Sequence, residues 1–216
     1  MDYIVKKLKD KQVPFFANDN IADHIDDQDL KTIRKNVHKA VEDLLDALVI
    51  DRENDHNTQE KAKRLTKMYV DEIFAGRYIK KPKITTFPNF KNLDELYTVG
   101  PITIRSVCSH HFVPIMGKVW IGVIPSDTLI GLSKFNRLVD WIGTRPQIQE
   151  ETVAQIADEI EKTINPKVLG VIMSAEHMCM SLRGVKDKDC SMTTSVMRGL
   201  FFKNSTARQE LLSLIQ

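Results

Sequence analysis

The feature that most constrains the fold of this chain is a change in the spacing of its apolar residues near residue 97. Before that point apolar residues recur every three or four positions; after it, segments rich in Val, Ile and Thr flank two further helical patterns. A period near 3.6 predicts amphipathic helices, whereas β-branched runs bounded by turn residues predict strands. The order helix, helix, strand, strand, helix, helix, strand, strand predicts an α+β protein with strands on one side and helices on the other.

The predicted elements divide the chain into three parts. Residues 1–28 are polar and irregular and predict a flexible N-terminal arm, residues 29–96 an N-terminal helical region, and residues 97–216 a second domain. The early helices are expected from Gln28 or Asp29 to about residue 50 and over 59–74. In the second domain we expect strands at 98–108, 113–125, 168–182 and 193–202, and helices at 133–143, 150–164 and 206–215.

The charge balance and hydropathy exclude several kinds of partner. The formal net charge is +2, with 31 basic and 29 acidic residues in 216, which gives no case for nucleic-acid binding. No apolar run is long enough to span a bilayer, and the first residues lack the layout of a signal peptide. We therefore expect a cytoplasmic protein that binds neither nucleic acid nor membrane.

Two short segments carry soft metal ligands. Cys108-Ser109-His110-His111 follows one predicted strand, and His177-Met178-Cys179 lies in another. A cysteine and a histidine from the first segment and a cysteine from the second would make three ligands, which leaves a fourth position for water, as in catalytic zinc sites. Singly, each residue is more often a buried apolar group or an ordinary histidine. Their grouping at strand ends favours a site.

Two further stretches admit two interpretations each. The sequence Gly131-Leu132-Ser133-Lys134 precedes a helix and suits a phosphate, although Ser133 is an equally good ordinary N-cap. The basic residues among 61–67 fit a solvated helix face better than an anion site, because runs of charge usually face solvent.

Several collinear motifs together resemble one known family, GTP cyclohydrolase I, over residues 60–214. The motifs are Cys108-Ser109-His110-His111, Gly131-Leu132-Ser133-Lys134 with Asn136-Arg137, Arg145-Pro146-Gln147-Ile148-Gln149-Glu150, His177-Met178-Cys179 and Arg183-Gly184-Val185. The helix that begins Lys67-Met68-Tyr69 and the tail that begins Thr206-Ala207-Arg208 are also similar to that family.

The resemblance implies a fold, a reaction and an assembly. The fold is the tunnelling fold, an antiparallel strand pair, a helix pair and a strand pair, here with an N-terminal helical extension. The reaction is the zinc-dependent conversion of GTP and water to 7,8-dihydroneopterin triphosphate and formate, the first step of pterin biosynthesis of the tetrahydrofolate type. The assembly is a homodecamer of two pentamers with active sites at subunit interfaces.

The resemblance also implies a role for each matched residue. The zinc ligands are Cys108, His111 and Cys179, and the acid–base groups are His110 and His177. Glu150 and Gln149 are expected to recognise guanine, and Ser133 to act both at the catalytic site and on the triphosphate. The other expected phosphate-binding residues are Lys134, Arg137, Arg183, Arg64 and Lys67.

Two other functions remain open at this level. One is a catalytically silent tunnelling-fold protein that binds a purine or pterin, against which the intact His110 and His177 count. The other is an enzyme of the same fold such as a nitrile reductase acting on a deazapurine, which would need a nucleophilic cysteine without zinc. The Cys-x-x-His spacing fits that second alternative poorly.

Overall fold

The computed structural model describes residues 2–215 and divides the chain into two compact units, Met1–Lys80 and Lys81–Gln216. The first unit is helical. Its elements are α1 (Asp2–Asp10), α2 (Asp27–Ala47), α3 (Lys61–Lys67), a π-helical continuation of α3 (Met68–Ile73) and α4 (Ala75–Tyr78). Among the described residues no helix is both long and apolar enough to cross a bilayer.

The N-terminal segment differs from its prediction. Residues Asp2–Asp10 form α1, and Ile4 and Leu8 are buried in an apolar cluster. The Lys7 ammonium lies 2.5 Å from the Asp29 carboxylate, which ties α1 to α2. The expectation of an irregular, flexible arm is wrong for these nine residues, because two apolar positions one turn apart gave too short a pattern to indicate a helix.

The second unit is built on a five-stranded sheet in the order β5-β2-β3-β6-β7. The pairs β2–β3, β3–β6 and β6–β7 are antiparallel, and β5 runs parallel to β2. The strands of this sheet are β2 (Tyr97–Cys108), β3 (Pro114–Ile124), β5 (Pro146–Gln147), β6 (Val168–His177) and β7 (Ser191–Arg198). A separate antiparallel pair joins β1 (Thr86–Pro88) to β4 (Thr128–Ile130). Residues 81–96, expected to extend the helical region, thus fall in the second unit.

Five helices accompany the sheet. They are α5 (Leu132–Gly143), α6 (Gln149–Ile164), α7 (Met178–Ser181), α8 (Leu200–Lys203) and α9 (Ser205–Ser213). One face of the sheet supplies alternate residues such as Ile104, Val119 and Ile121 to a core completed by Leu138 and Ile156 from the helices. The apolar residues that alternate along the strands and those that recur every three or four positions on the helices therefore pack together in one layer. This arrangement confirms the expected α+β class.

Strand β6 ends earlier than expected, and β7 covers Ser191–Arg198 instead of 193–202. The partnership of β3 with β6 stops at the pair Ile115–His177, and that of β6 with β7 stops at Glu176–Ser191. Among the described residues no neighbouring strand continues the ladder beyond His177, so the chain turns into the helical segment α7 instead of extending to residue 182.

Candidate active site

Three potential metal ligands converge at one end of the sheet. Cys108 is the last residue of β2 and is buried, His111 lies in the turn that follows, and Cys179 lies on α7. Their ligand atoms all lie within 4.8 Å of one another. Among residues 2–215, these three are the only His, Cys, Asp or Glu residues found grouped in a way that could hold a metal ion.

The turn after β2 explains how Cys108 and His111 reach the same point despite their three-residue spacing. The Phe112 amide donates to the Cys108 carbonyl at 2.9 Å, and the Cys108 amide donates to the Val113 carbonyl at 2.8 Å. Phe112 has a φ of +53°, a conformation that bulky residues rarely adopt. This left-handed residue closes the turn and leads the chain into β3, and such strain is typical of functional loops.

The second ligand segment is not a strand. The sequence placed both His177 and Cys179 in a strand over 168–182, and this is wrong for Cys179, which lies on the helical turn α7 after β6 has ended. His177 is the last residue of β6, opposite Ile115 of β3. The two residues still line one cavity, because the turn at Met178 carries Cys179 back toward Cys108.

The donor set suits a divalent soft or borderline cation. Burial and the adjacent Cys108 thiol raise the pKa of Cys179 above its ordinary value, and the positive charge of Arg183 opposes this. Two neighbouring sulfurs in a partly buried position therefore disfavour thiolates unless a cation lies between them. Two thiolates and one imidazole are ligands that Zn²⁺ prefers, so the residues present fit a zinc ion.

Arg183 contacts the predicted histidine ligand. Its Nη1 lies 3.0 Å from Nε2 of His111. An arginine can only donate, so Nε2 must accept and cannot carry a proton. Coordination through Nε2 would use the same lone pair, and coordination through Nδ1 would place the proton on Nε2. The contact with Arg183 and metal coordination by His111 therefore exclude each other.

A cavity of about 220 Å³ adjoins the three ligands. It is bordered by both predicted acid–base histidines and by the start of α6. The lining residues are Cys108, His110, Ile115, Gln147, Ile148, Gln149, Glu150, His177 and Cys179. The predicted metal, acid–base and guanine-recognition residues within this list are thus brought together. The sequence predicts no role for Gln147 and Ile148. They line the cavity because they lie at the connection between β5 and α6.

His177 is held by a buried glutamine. Its Nε2 lies 2.7 Å from Oε1 of Gln149, the first residue of α6. Burial lowers the pKa of His177 below its ordinary value, and the carboxylate of Glu150 opposes this shift. A histidine in this environment remains neutral more readily than one in water.

The predicted phosphate-binding residues fall into two groups. Ser133, Lys134 and Arg137 lie on the first turns of α5, and none of them lines the cavity. Ser133 is not the N-cap, because Gly131 occupies that position without a side-chain cap, so the first amides of α5 have no capping side chain. Arg64 and Lys67 are exposed residues of α3 in the first unit.

Comparison with known proteins agrees with the resemblance. The family model described as GTP cyclohydrolase I matches residues 37–216. The GTP cyclohydrolase 1 of Enterobacter sp. (strain 638) is 38% identical over 193 residues, covering 89% of this chain and 86% of the relative. The GTP cyclohydrolase 1 of Salmonella arizonae has the same identity and coverage.

A solved structure, that of the archaeosine synthase QueF-Like in the apo form, shows only a weak likeness. It covers 56% of this chain and 97% of that chain, with 15% identity and a TM-score of 0.38. A likeness of this quality carries no argument about the fold.

Proposed function

The chain belongs to the GTP cyclohydrolase I family, and from this membership we propose that it hydrolyses GTP at C8 to give 7,8-dihydroneopterin triphosphate and formate. The reaction would be the first step of pterin biosynthesis of the tetrahydrofolate type. The observation that carries the proposal is the convergence of Cys108, His111 and Cys179 beside a cavity bordered by two further histidines.

Zinc is the proposed cofactor, held by Cys108, His111 and Cys179. Three protein ligands leave one position open, as in catalytic rather than structural zinc sites. When bound, such an ion lowers the pKa of water to about 7, which makes a nucleophile available at neutral pH. The three side chains would fix the position of that nucleophile next to the cavity.

Two histidines are proposed to move protons. Opening of the imidazole ring of guanine needs a proton at N7 as C8 is attacked, and His177 borders the cavity at the end of β6. Histidine titrates in the range that such a step requires. His110, on the turn between two ligands, is proposed to assist opening of the ribose and later proton transfers.

Glu150 is proposed to recognise guanine. Its carboxylate lies at the start of α6, where the helix dipole favours negative charge, and it borders the cavity. A carboxylate can accept from both N1–H and the exocyclic amine of guanine. Adenine does not offer this pair of donors, so the contact discriminates between the two purines.

The triphosphate is proposed to lie outside the cavity. A volume of about 220 Å³ is smaller than the roughly 300–1,000 Å³ that encloses a whole ligand, so it suits a purine base only. The uncapped start of α5, with Ser133, Lys134 and Arg137, is the proposed phosphate site, together with Arg183. Arg64 and Lys67 are proposed as further phosphate-binding residues from the family resemblance alone.

The tunnelling fold and a homodecamer of two pentamers are also proposed. The five-stranded sheet with α5 and α6 packed on one face has the element order that this fold requires. Sites shared between subunits would explain why Ser133, Lys134 and Arg137 do not line the cavity of their own chain.

The proposal is tested by incubating purified protein with GTP and measuring formate release and the absorbance of the pterin product. We expect both signals, their loss with a chelator, and their return with Zn²⁺. We also expect Cys108→Ser to lower bound zinc and abolish turnover. Protein that contains no zinc, or Cys108→Ser protein with full turnover, would refute the proposal.

A matched control is available in the third cysteine. Cys190 is exposed and lies outside the group of potential ligands. Cys190→Ser should keep both the zinc content and the rate of formate release, which separates loss of a ligand from loss of any thiol.

A further inference from the structure

Gln149 is almost completely buried at the point where α6 meets the sheet. Its side chain is 1% exposed and reaches the backbones of β6 and β7. The residue borders the cavity, yet its amide is directed into the protein. Its contacts therefore determine what it can offer to a substrate.

The orientation of the Gln149 amide follows from its partners. Nε2 lies 3.1 Å from the Met173 carbonyl, 2.9 Å from the Met192 carbonyl and 3.0 Å from Oγ1 of Thr194. A flipped amide would place its oxygen against two carbonyl oxygens, which cannot donate. Nε2 must therefore face the strands, and both of its protons are used.

This orientation determines the protonation of His177. Since Nε2 of Gln149 faces the strands, Oε1 is the atom that faces Nε2 of His177, at 2.7 Å. An amide oxygen only accepts, so His177 must donate from Nε2. The proton on Nε2 therefore stays with Gln149 in both charge states: the imidazolium can donate its second proton to a substrate from Nδ1, and the neutral ring that remains carries its proton on Nε2.

We propose that Gln149 is a positioning residue that holds His177 in its Nε2–H form and leaves Nδ1 for the substrate. The inference rests on the proposed function, in which His177 supplies a proton to the purine. It differs from the role expected for Gln149 from the family resemblance, recognition of guanine by its side chain, because both amide protons and the oxygen already have partners in the protein. For a histidine that binds a metal, loss of the partner on its second nitrogen typically costs about 10–100-fold in activity, and we expect an effect of the same size for His177.

The direct test is the imidazole ¹⁵N spectrum of zinc-loaded, full-length protein labelled at histidine, with His177 assigned by comparison with His177→Ala. In mildly alkaline buffer, where the ring is neutral, we expect the proton on Nε2. A proton on Nδ1, or an equal mixture of the two forms, overturns the proposal. This measurement needs no turnover, so it decides the proposal even if the protein released no formate from GTP, which would instead refute the proposed function.

The variant Gln149→Met removes the acceptor and keeps the side-chain length. We expect its His177 spectrum to change toward a mixture of both forms, and kcat for formate release to fall about 10–100-fold with KM for GTP unchanged. A rise in KM with an unchanged His177 spectrum would show that Gln149 recognises guanine instead.

Thr194→Val is the matched control. It removes the hydroxyl that accepts from Gln149 but leaves the carbonyls of Met173 and Met192, which are enough to hold the amide. We expect the Nε2–H form to persist and kcat to stay within about twofold of the wild type, since one of three acceptors is lost. Loss of the Nε2–H form in this variant would contradict the argument that the two carbonyls orient the amide.

Discussion

At the scale of single residues, Arg183 belongs to the proposed phosphate site and also contacts the proposed metal site. Its guanidinium contacts Nε2 of His111 and lies close enough to Cys179 to influence that thiol. A fixed positive charge opposes a divalent cation, and the contact itself competes for the His111 lone pair. With a metal bound to His111, the guanidinium of Arg183 would lose this partner and would be free to bind the proposed phosphate.

Replacing Arg183 should therefore affect metal and nucleotide in opposite directions. We expect Arg183→Ala to bind zinc more tightly, by at most about 1 kcal/mol, because a competing hydrogen bond and a like charge are removed, and this outweighs the loss of the charge that favours the Cys179 thiolate. The same variant should bind GTP more weakly. Competition with a chromogenic chelator measures the first effect, and the KM for GTP measures the second.

Arg137→Ala is the comparison for that experiment. Arg137 lies on α5, outside the group of metal ligands. We expect it to weaken GTP binding while zinc affinity stays at the wild-type value. Weaker zinc binding in Arg183→Ala would contradict the competition described for His111.

Glu159 on α6 gives a residue-scale prediction about pH. Burial alone would raise its pKa, but hydrogen bonds and charge from Lys81 and Lys162 outweigh burial and lower the pKa below its ordinary value. A lowered pKa in the folded state stabilises the protein above the unfolded-state pKa, and this contribution is lost as the pH falls through the folded-state value. The carboxylate should therefore stabilise the protein at neutral pH and lose this contribution in acid, below its folded-state pKa.

The corresponding experiment is thermal unfolding of Glu159→Gln across pH. At neutral pH we expect Tm about 2 °C below the wild type, since the ion pairs are partly exposed, and no difference once the pH is below the folded-state pKa. Glu95→Gln, a change at an exposed carboxylate outside these ion pairs, should show no difference at either pH. A deficit that persists in acid would mean that packing, rather than charge, is lost.

At the scale of elements, the end of α2 is formed by a motif that normally needs glycine. The Val49 amide donates to the Asp46 carbonyl and the Ile50 amide to the Leu45 carbonyl, each at 3.0 Å, which is the Schellman pattern. Ile50 also packs against Leu45, as that motif requires. Val49 occupies the left-handed position with a φ of +58° while 92% exposed.

Glycine at this position should stabilise the first unit. A left-handed conformation costs a non-glycine residue about 1–2 kcal/mol, and glycine's extra freedom in the unfolded chain takes back about 0.4–1 kcal/mol. We expect Val49→Gly to raise the free energy of unfolding by about 0.5–1 kcal/mol, measured by denaturant titration of the helical signal. Val49→Ala removes the same methyl groups but keeps the strain, so an equal gain there would count against the explanation.

The elements that the sequence predicted best are those long enough for the spacing of their own apolar residues to indicate a helix or a strand. The strands β2 and β3 alternate over more than ten residues, and α5 and α6 carry apolar faces of several turns, so their bounds follow within about two residues. Residue type alone left open which histidine of the first segment would bind a metal, and the family resemblance implied the set Cys108, His111 and Cys179, which the structure brings together. Their convergence also depends on strand order, which brings the end of β2 beside the end of β6 only because β3 lies between them.

The elements that were missed depend on contacts made far along the chain. The helix α1 is short, and Ile4 and Leu8 are buried by residues such as Ile33 and Val70. The predicted single helix over residues 59–74 changes from α to π geometry at Met68, which no spacing of apolar residues indicates. The hydrogen bonds from Gln149 to the backbones of β6 and β7 likewise depend on where these strands lie relative to α6, which the sequence does not indicate.

At the scale of the whole molecule, the sheet of the second unit has two open edges. In the described part of the chain no strand pairs with the outer side of β7, and β2 pairs on its outer side with β5 only at Val107 and Cys108. Long unpaired edges favour association with another chain. Two different edges on one subunit favour head-to-tail contacts, which close into rings when the rotation allows.

A ring of this kind predicts that active sites are shared between subunits. His177 borders the cavity, whereas Arg137 of the same chain does not, so a neighbouring chain is expected to supply Arg137. His177→Ala and Arg137→Ala should each form weakly active or inactive oligomers. Coexpression of the two variants with different tags, followed by purification on both tags, should give mixed oligomers with up to about a quarter of wild-type formate release. With equal mixing, about half of the sites have an intact His177, and about half of those receive an intact Arg137 from the neighbouring chain. Mixed oligomers that form but regain no activity would show that each site is built from one chain.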